Sequence, residues 1–237
     1  MRLSRQLVAA FALASTALVS SPALADAITF DSTNIGTNYT LSYDGFSSGT
    51  TVTGLTGSTT FSLANITGNT YTFNYAVSNT SGTPITDSRI SSFAFNTDPN
   101  ITGASSTGAF SYTTLNSSYP NGIGSIDVCF KDAVTGSCAG GGSGGLTMGQ
   151  TGTGSFTLTF SQPVSSLTLS DFFLRYQSIS GAGGITSASG SGTLTSTSTS
   201  TGGTSVPEPG MLGLMGMTLM LGAMAHRRRQ RRTLRAA

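Results

Sequence analysis

The chain has 237 residues, of which 11 are Lys or Arg and nine are Asp or Glu, with one histidine and no tryptophan. Eight of the cations lie near the two ends, so the region between them is acidic, with eight aspartates against Arg89, Lys131 and Arg175. An acidic region excludes binding to nucleic acid through a basic face. The scarcity of His, Glu and Lys also argues against general acid–base catalysis near neutral pH.

The first 25 residues have the pattern of a signal peptide. Arg2 and Arg5 precede an apolar stretch at residues 7–19, and Ala23 and Ala25 provide the small residues that signal peptidase reads. We therefore expect export through the Sec machinery, removal of residues 1–25 and a mature chain that begins at Asp26. A retained amino-terminal anchor is less favoured because the apolar stretch is short.

Residues 26–186 are predicted to form one exported β-rich domain, because Thr, Ser, Gly, Asn and scattered aromatics predominate. Aromatic and polar residues alternate over residues 71–77 and again over residues 156–160, which is typical of strands with one buried face. Further strands are predicted at Ile28 to Phe30, Tyr39 to Tyr43, Thr59 to Ile66, Ile90 to Phe95, Phe110 to Leu115, Ile126 to Phe130 and Leu167 to Leu169. Short strands separated by polar turns predict an all-β fold, an antiparallel β-sandwich or jelly roll. A solenoid is the alternative, but the Thr-Gly repeats have no fixed period.

Cys129 and Cys138 are the two cysteines of the chain. In an oxidising compartment such a pair predicts a disulfide. Cys129 alternates with Ile126, Val128 and Phe130, so we expect the bridge on the outside of the sheet, beside the glycines at 140–145. A metal site is the alternative, but no histidine precedes His226 to complete the ligands.

No catalytic, cofactor-binding or metal-binding residues are predicted, and the protein is not expected to be an enzyme. An aspartate pair like that of many glycosidases is the remaining catalytic alternative, and its candidates are Asp87, Asp98, Asp127, Asp132 and Asp171. A sugar site is the binding alternative, built on Tyr112, Tyr119 and Asn121. Arg175 is expected to pair with Asp171 or to stack on an aromatic ring.

Residues 187–205 are almost entirely Ser, Thr and Gly. Since so few apolar side chains are available to pack, this segment is predicted to be a flexible linker.

Residues 206–237 form a tripartite tail. Val206, Pro207, Glu208 and Pro209 are followed by an apolar run, residues 211–225, predicted to be a short transmembrane helix. The run ends at an arginine cluster, Arg227, Arg228, Arg229, Arg231, Arg232 and Arg235. The positive-inside rule places this cluster in the cytoplasm and everything before Pro207 outside.

This tail resembles the PEP-CTERM sorting signal of Gram-negative bacteria. The resemblance implies that exosortase, an integral membrane transpeptidase-like enzyme, recognises and cleaves the tail. The protein would then reside transiently in the inner membrane before it reaches the cell surface or extracellular matrix. The alternative is a permanent single-pass anchor preceded by unrelated prolines.

Segments of the central region resemble the cistern family of PEP-CTERM proteins. They are residues 91–99, 128–130, Cys138 with residues 140–146, and residues 169–179. The resemblance implies a non-enzymatic surface protein associated with exopolysaccharide or biofilm matrix. A carbohydrate-binding or adhesin-like module is the alternative function.

Overall fold

The structure is a computed structural model and describes residues 26–135 and 137–199. Twelve strands lie within these residues: β1 Ile28–Phe30, β2 Thr37–Ser47, β3 Thr50–Thr67, β4 Thr70–Asn79, β5 Asp87–Asp98, β6 Gly103–Gly108, β7 Tyr112–Tyr119, β8 Gly124–Lys131, β9 Leu146–Thr147, β10 Thr151–Thr159, β11 Leu167–Ser180 and β12 Ser187–Thr199. One short 3-10 turn, Ser32–Asn34, follows β1. The predicted all-β class is confirmed, and each strand predicted from the sequence overlaps an observed one.

All strand pairs are antiparallel and belong to one sheet. Along its main path the order is β6, β10, β4, β3, β2, β12, β11, β5, β8 and β7, while β1 adds to β11 and β9 adds to β5. The two end strands of the path, β6 and β7, lie next to each other. The sheet therefore nearly closes on itself, where the sequence predicted the two separate sheets of a sandwich or jelly roll.

Aromatic side chains from opposite halves of the sheet meet in its interior. Phe61 of β3 lies with its ring centroid 5.8 Å from that of Phe93 and 5.8 Å from that of Phe172. Phe156 of β10 reaches Phe130 of β8 at 4.8 Å. Each such pair contributes about 0.5–1.5 kcal/mol beyond the area it buries. These contacts hold the two halves of the continuous sheet face to face.

The predicted alternation in β4 is confirmed. Tyr71, Phe73, Tyr75 and Val77 are all buried, while the residues between them point outward. Because side chains in a strand alternate in direction, one period-2 pattern assigns both faces of the strand.

The linker prediction for residues 187–205 is wrong over residues 187–199, which form β12. This strand pairs with β11 on one side and with β2 on the other, so it lies in the middle of the sheet. Its glycines make room for tyrosine rings: a Cβ on Gly190 would lie 2.9 Å from Cε2 of Tyr176, and one on Gly192 would lie 2.8 Å from Cε1 of Tyr43. The small residues thus serve close packing, which a count of apolar residues does not detect.

The beginning of the described chain also contacts β12. The carboxylate of Asp26 accepts a hydrogen bond from the backbone N–H of Leu194, next to an irregularity in the β12–β2 register between Leu194 and Ser196. The residue predicted to be first in the mature protein is therefore fixed to the last strand.

Candidate functional sites

A loop rich in glycine covers the outer side of β5, β11 and β8. We call residues 132–145 the glycine loop, of which residue 136 is not described, and the outer side of β5, β11 and β8 the covered face. Ser91 and Ser92 of β5 donate to the carbonyls of Ala139 at 2.8 Å and Cys138 at 2.6 Å. Gln177 of β11 donates to the same Ala139 carbonyl at 2.7 Å. The loop therefore forms a second layer over strands already packed on their inner side.

Arg89 of β5 lies at the centre of the covered face and donates five hydrogen bonds. Its acceptors are the Ser178 hydroxyl, the Asp132 carboxylate, the Gln177 amide oxygen and the carbonyls of Gly141 and Gly144. The contact between Arg89 Nη1 and Asp132 Oδ2 is a buried salt bridge of 3.2 Å. A guanidinium has five N–H donors, so every donor of Arg89 is used within the fold and none remains for a ligand.

The other oxygen of Asp132 orients the loop. Asp132 Oδ1 accepts from the backbone N–H of Gly141 at 2.7 Å. Gly140 has φ +77°, and a Cβ there would lie 2.6 Å from the backbone oxygen of Ser91. Only glycine fits this position without strain. These contacts assign Asp132, one of the candidate catalytic aspartates, to the support of the loop.

The two cysteines meet where the glycine loop packs on the covered face, Cys129 on β8 and Cys138 in the loop. Both are free thiols and both are buried, so the predicted disulfide is not formed in this structure. Burial and a hydrogen bond with Cys138 raise the pKa of Cys129, and the same hydrogen bond lowers the pKa of Cys138. Cys129 points away from Val128 and Phe130, as predicted, but Ile126 shares its small apolar cluster instead of lying on the opposite face. The thiols are close enough to interact directly, and the disulfide stays a prediction.

Arg175 also lies on the covered face, 7% exposed, and makes no ion pair within the described residues. Its Nη1 donates to the carbonyl of Ala188 at 3.1 Å. When the side-chain amide of Asn121 is oriented with its oxygen toward Arg175, this oxygen accepts a second hydrogen bond from Nη1 of Arg175, at 2.9 Å. Burial lowers the pKa of Arg175. The predicted pairing with Asp171 is wrong, since Asp171 instead accepts from Asn96 at 2.9 Å.

The predicted sugar site does not assemble. Tyr119 is buried, 2% exposed, and its ring packs against Phe173 at 5.7 Å, so it offers no open platform. Burial raises the pKa of its hydroxyl well above the ordinary value. Asn121 is occupied by Arg175 and Ser189, and Tyr112 is the exposed member of the three.

Of the remaining candidate aspartates, Asp127 and Asp171 share one neighbour, whereas Asp87 and Asp98 lie far apart. Asp87 and Asp98 lie at opposite ends of β5, about 35 Å apart at the usual rise of a strand. Asp127 accepts from the backbone N–H of Thr97 at 2.8 Å, and its own N–H donates to Asn96. Asp127 and Asp171 thus lie on either side of Asn96, each held by hydrogen bonds. In the part of the chain that the structure describes, no group of three His, Cys, Asp or Glu could hold a metal ion.

The opposite part of the sheet has an outer side of a different kind. Over residues 38–42 of β2, 58–62 of β3, 70–78 of β4, 151–159 of β10 and 105–107 of β6, the outward residues are all Ser, Thr or Asn apart from one alanine, and none carries a charge. We call this surface the hydroxyl face; it consists of Asn38, Thr40, Ser42, Ser58, Thr60, Ser62, Thr70, Thr72, Asn74, Ala76, Ser78, Ser105, Thr107, Thr151, Thr153, Ser155, Thr157 and Thr159. The sequence analysis missed it, although the polar half of each alternating pattern carried the signal.

Hydroxyls on neighbouring strands of the hydroxyl face are hydrogen-bonded in pairs. Ser78 and Thr151 are 2.7 Å apart, Ser105 and Thr157 are 2.7 Å apart, and Thr40 and Thr60 are 3.0 Å apart. No loop of the described chain is hydrogen-bonded over these rows, unlike the covered face.

The sorting residues predicted from the sequence lie outside the described residues. They are Ala23, Ala25, Val206, Pro207, Glu208, Pro209, the helix at 211–225, Arg227, Arg228, Arg229, Arg231, Arg232 and Arg235. Within residues 26–135 and 137–199, no helix is long and apolar enough to cross a membrane.

Comparison with known proteins identifies the tail. A family model described as the PEP-CTERM protein-sorting motif matches residues 205–229. No curated protein and no solved structure matches the chain. The resemblance to a PEP-CTERM sorting signal, noted in the sequence from Val206 to Pro209 and the residues after them, is confirmed. The motif identifies the chain as an exosortase substrate that is exported to the cell surface or the extracellular space.

Proposed function

We propose, starting from the sorting motif at residues 205–229, that this exosortase substrate is a non-catalytic component of the exopolysaccharide or biofilm matrix. In this proposal the unprocessed chain resides transiently in the inner membrane, held by residues 211–225 and the arginines that follow. Cleavage within the tail then frees the folded sheet to enter the matrix. The motif is the single observation that carries the proposal.

The chemistry of the folded domain supports a structural role. The donors of Arg89 are all used inside the fold, and Asp127, Asp132 and Asp171 each accept a hydrogen bond from the protein. In these contacts the groups hold the structure together. A carbohydrate-binding module or adhesin is the second candidate, favoured by the uncharged hydroxyl face.

Cell fractionation in the native host tests the proposal. Pro207, Glu208 and Pro209 would be replaced together by alanine, with Thr201, Gly202 and Gly203 replaced by alanine as the matched control. We expect the wild type and the control in the extracellular polysaccharide fraction, and the motif variant in the inner membrane. If all three remain in the inner membrane, the tail is a permanent anchor. If the wild type is released into the medium free of polysaccharide, the matrix role is wrong.

A further inference from the structure

The charges of the described domain are separated in space. Its three cations, Arg89, Lys131 and Arg175, are 7%, 1% and 7% exposed, and all three lie on the covered face. Lys131 donates to the Thr114 hydroxyl and the Thr135 carbonyl, so its charge is also held inside. The exposed charges of the described residues are therefore aspartates. An anionic polymer would be repelled by these aspartates, and no exposed Lys or Arg side chain of the described residues would offset the repulsion.

The hydroxyl face is an uncharged part of this otherwise acidic surface. Asp44 follows Ser42 as the next outward residue of β2 and marks one border. Strands are about 4.8 Å apart and outward residues about 6.7 Å apart along a strand, so the face is roughly 20 Å wide across its five strands and reaches roughly 27 Å in length on β4 and β10. This extent accommodates a segment of an extended polymer.

The side chains of the hydroxyl face are ordered before any partner arrives. Cross-strand pairs such as Ser105 with Thr157 and Thr107 with Ser155 fix the hydroxyls in rows. A hydroxyl has one donor and two acceptor positions, so a pair leaves capacity for further hydrogen bonds. Short side chains also lose little conformational entropy on binding.

We infer that the hydroxyl face binds a neutral polysaccharide through rows of hydrogen bonds, an inference that rests on the matrix role proposed above. A neutral polysaccharide is an extended polymer of hydroxyl donors and acceptors without charge, which matches the face in both respects. Each contact is weak, but the repeats of a polymer engage many contacts at once. Ring stacking contributes little, because Tyr112 is the one large aromatic among the exposed hydrophobic residues of the described chain.

Cosedimentation of the mature protein, purified from the host surface, tests this inference. The probes are microcrystalline cellulose and insoluble xylan as neutral polymers, and calcium-free alginate covalently coupled to beads as an acidic one. The variant Thr60→Glu with Thr157→Glu places two carboxylates on the hydroxyl face. The matched control, Thr50→Glu with Val134→Glu, adds the same charge at exposed positions elsewhere.

We expect a neutral polymer to sediment the wild type and the control, and the face variant to lose about tenfold in affinity because a carboxylate desolvated by the polymer is costly. Alginate should sediment none of them. Urea unfolding checks that the face variant is folded. A milder variant, Thr60→Val with Thr157→Val, removes hydroxyls without adding charge and should weaken binding in the same direction.

Four results would overturn the inference: equal binding by the folded face variant, binding to alginate alone, no binding to either neutral polymer, or self-association of the wild type that the face variant abolishes. The last would make the face an interface between copies of the chain. None of these results alters the fractionation experiment, so the matrix role can survive the failure of this inference.

Discussion

The two outer sides of this sheet differ more than any other two regions of the molecule. The covered face holds Arg89, Lys131, Arg175 and Cys129 beneath a second layer of chain, to which Cys138 belongs. The hydroxyl face holds Ser, Thr and Asn in rows, carries no charge, and has no loop of the described residues hydrogen-bonded over it. Both belong to the same continuous sheet. Reactive and charged groups are thus used to build the fold, while the exposed surface offers hydrogen bonds alone.

Truncation of β12 should have the largest effect on this arrangement, because the strand joins the two halves of the sheet. We expect residues 26–199, expressed in the periplasm, to unfold cooperatively in urea. Residues 26–186 should show no cooperative transition, since β2 and β11 each lose a partner strand. If residues 26–186 unfold with the same midpoint as 26–199, the segment is a linker after all and the assignment of β12 is wrong.

Replacement of Arg89 by methionine should have the next largest effect, on the covered face. The change leaves the Asp132 carboxylate buried without its partner, and loss of one member of a buried pair costs about 3–5 kcal/mol. Urea unfolding measures this loss. The control Asp98→Asn alters an exposed aspartate and should change the free energy of unfolding by less than about 0.5 kcal/mol. A cost below about 1 kcal/mol for Arg89→Met would contradict the role given to the salt bridge.

Oxidation of the cysteine pair should have an intermediate effect. The thiols of Cys129 and Cys138 already interact, and a disulfide closing a loop of about ten residues contributes about 2–3 kcal/mol. We expect protein purified from the periplasm to resist alkylation until it is reduced, and reduction to lower its free energy of unfolding by that amount. The double variant Cys129→Ala with Cys138→Ala should be insensitive to reductant. Alkylation of both thiols without reduction would show that the bridge does not form.

The smallest effect on stability is expected on the hydroxyl face. Thr60→Val should change the free energy of unfolding by no more than about 0.5 kcal/mol, because the side chain is on the solvent side. Its neighbour in sequence, Phe61, points into the aromatic interior, and Phe61→Ala should cost about 3–5 kcal/mol. Thermal or urea unfolding of the two variants compares the faces of one strand directly. Equal losses of unfolding free energy in the two variants would contradict the assignment of Thr60 to a solvent-facing surface that contributes little to stability.

The sequence predicted the parts of the fold in which a local pattern is sufficient. Tyr71, Phe73 and Tyr75 alternate with polar residues, and this fixed both the strand and its buried side. The tail was recognised in the same way, because Val206 to Pro209, the apolar run and the arginines are adjacent in the chain.

Other features depend on contacts between distant residues and could not be predicted. The Ser and Gly residues of β12 have the composition of a linker, and only the rings of Tyr43 and Tyr176 explain why Gly190 and Gly192 carry no side chain. Arg89 meets Asp132 and Gln177 across long separations in sequence. Tyr119 ends the polar strand β7 and precedes a turn, so its burial depends on the ring of Phe173 and on Cys138 of the glycine loop, which joins its apolar cluster.

Intact mass spectrometry of the protein recovered from the host surface tests the central claim most directly, because one mass reports both ends of the chain. We predict a chain that begins at Asp26, retains β12 through Thr199 and lacks the arginines from Arg227 onward. A chain that keeps those arginines would contradict processing of the tail. A chain that ends before Ser187 would contradict the place of β12 in the mature fold.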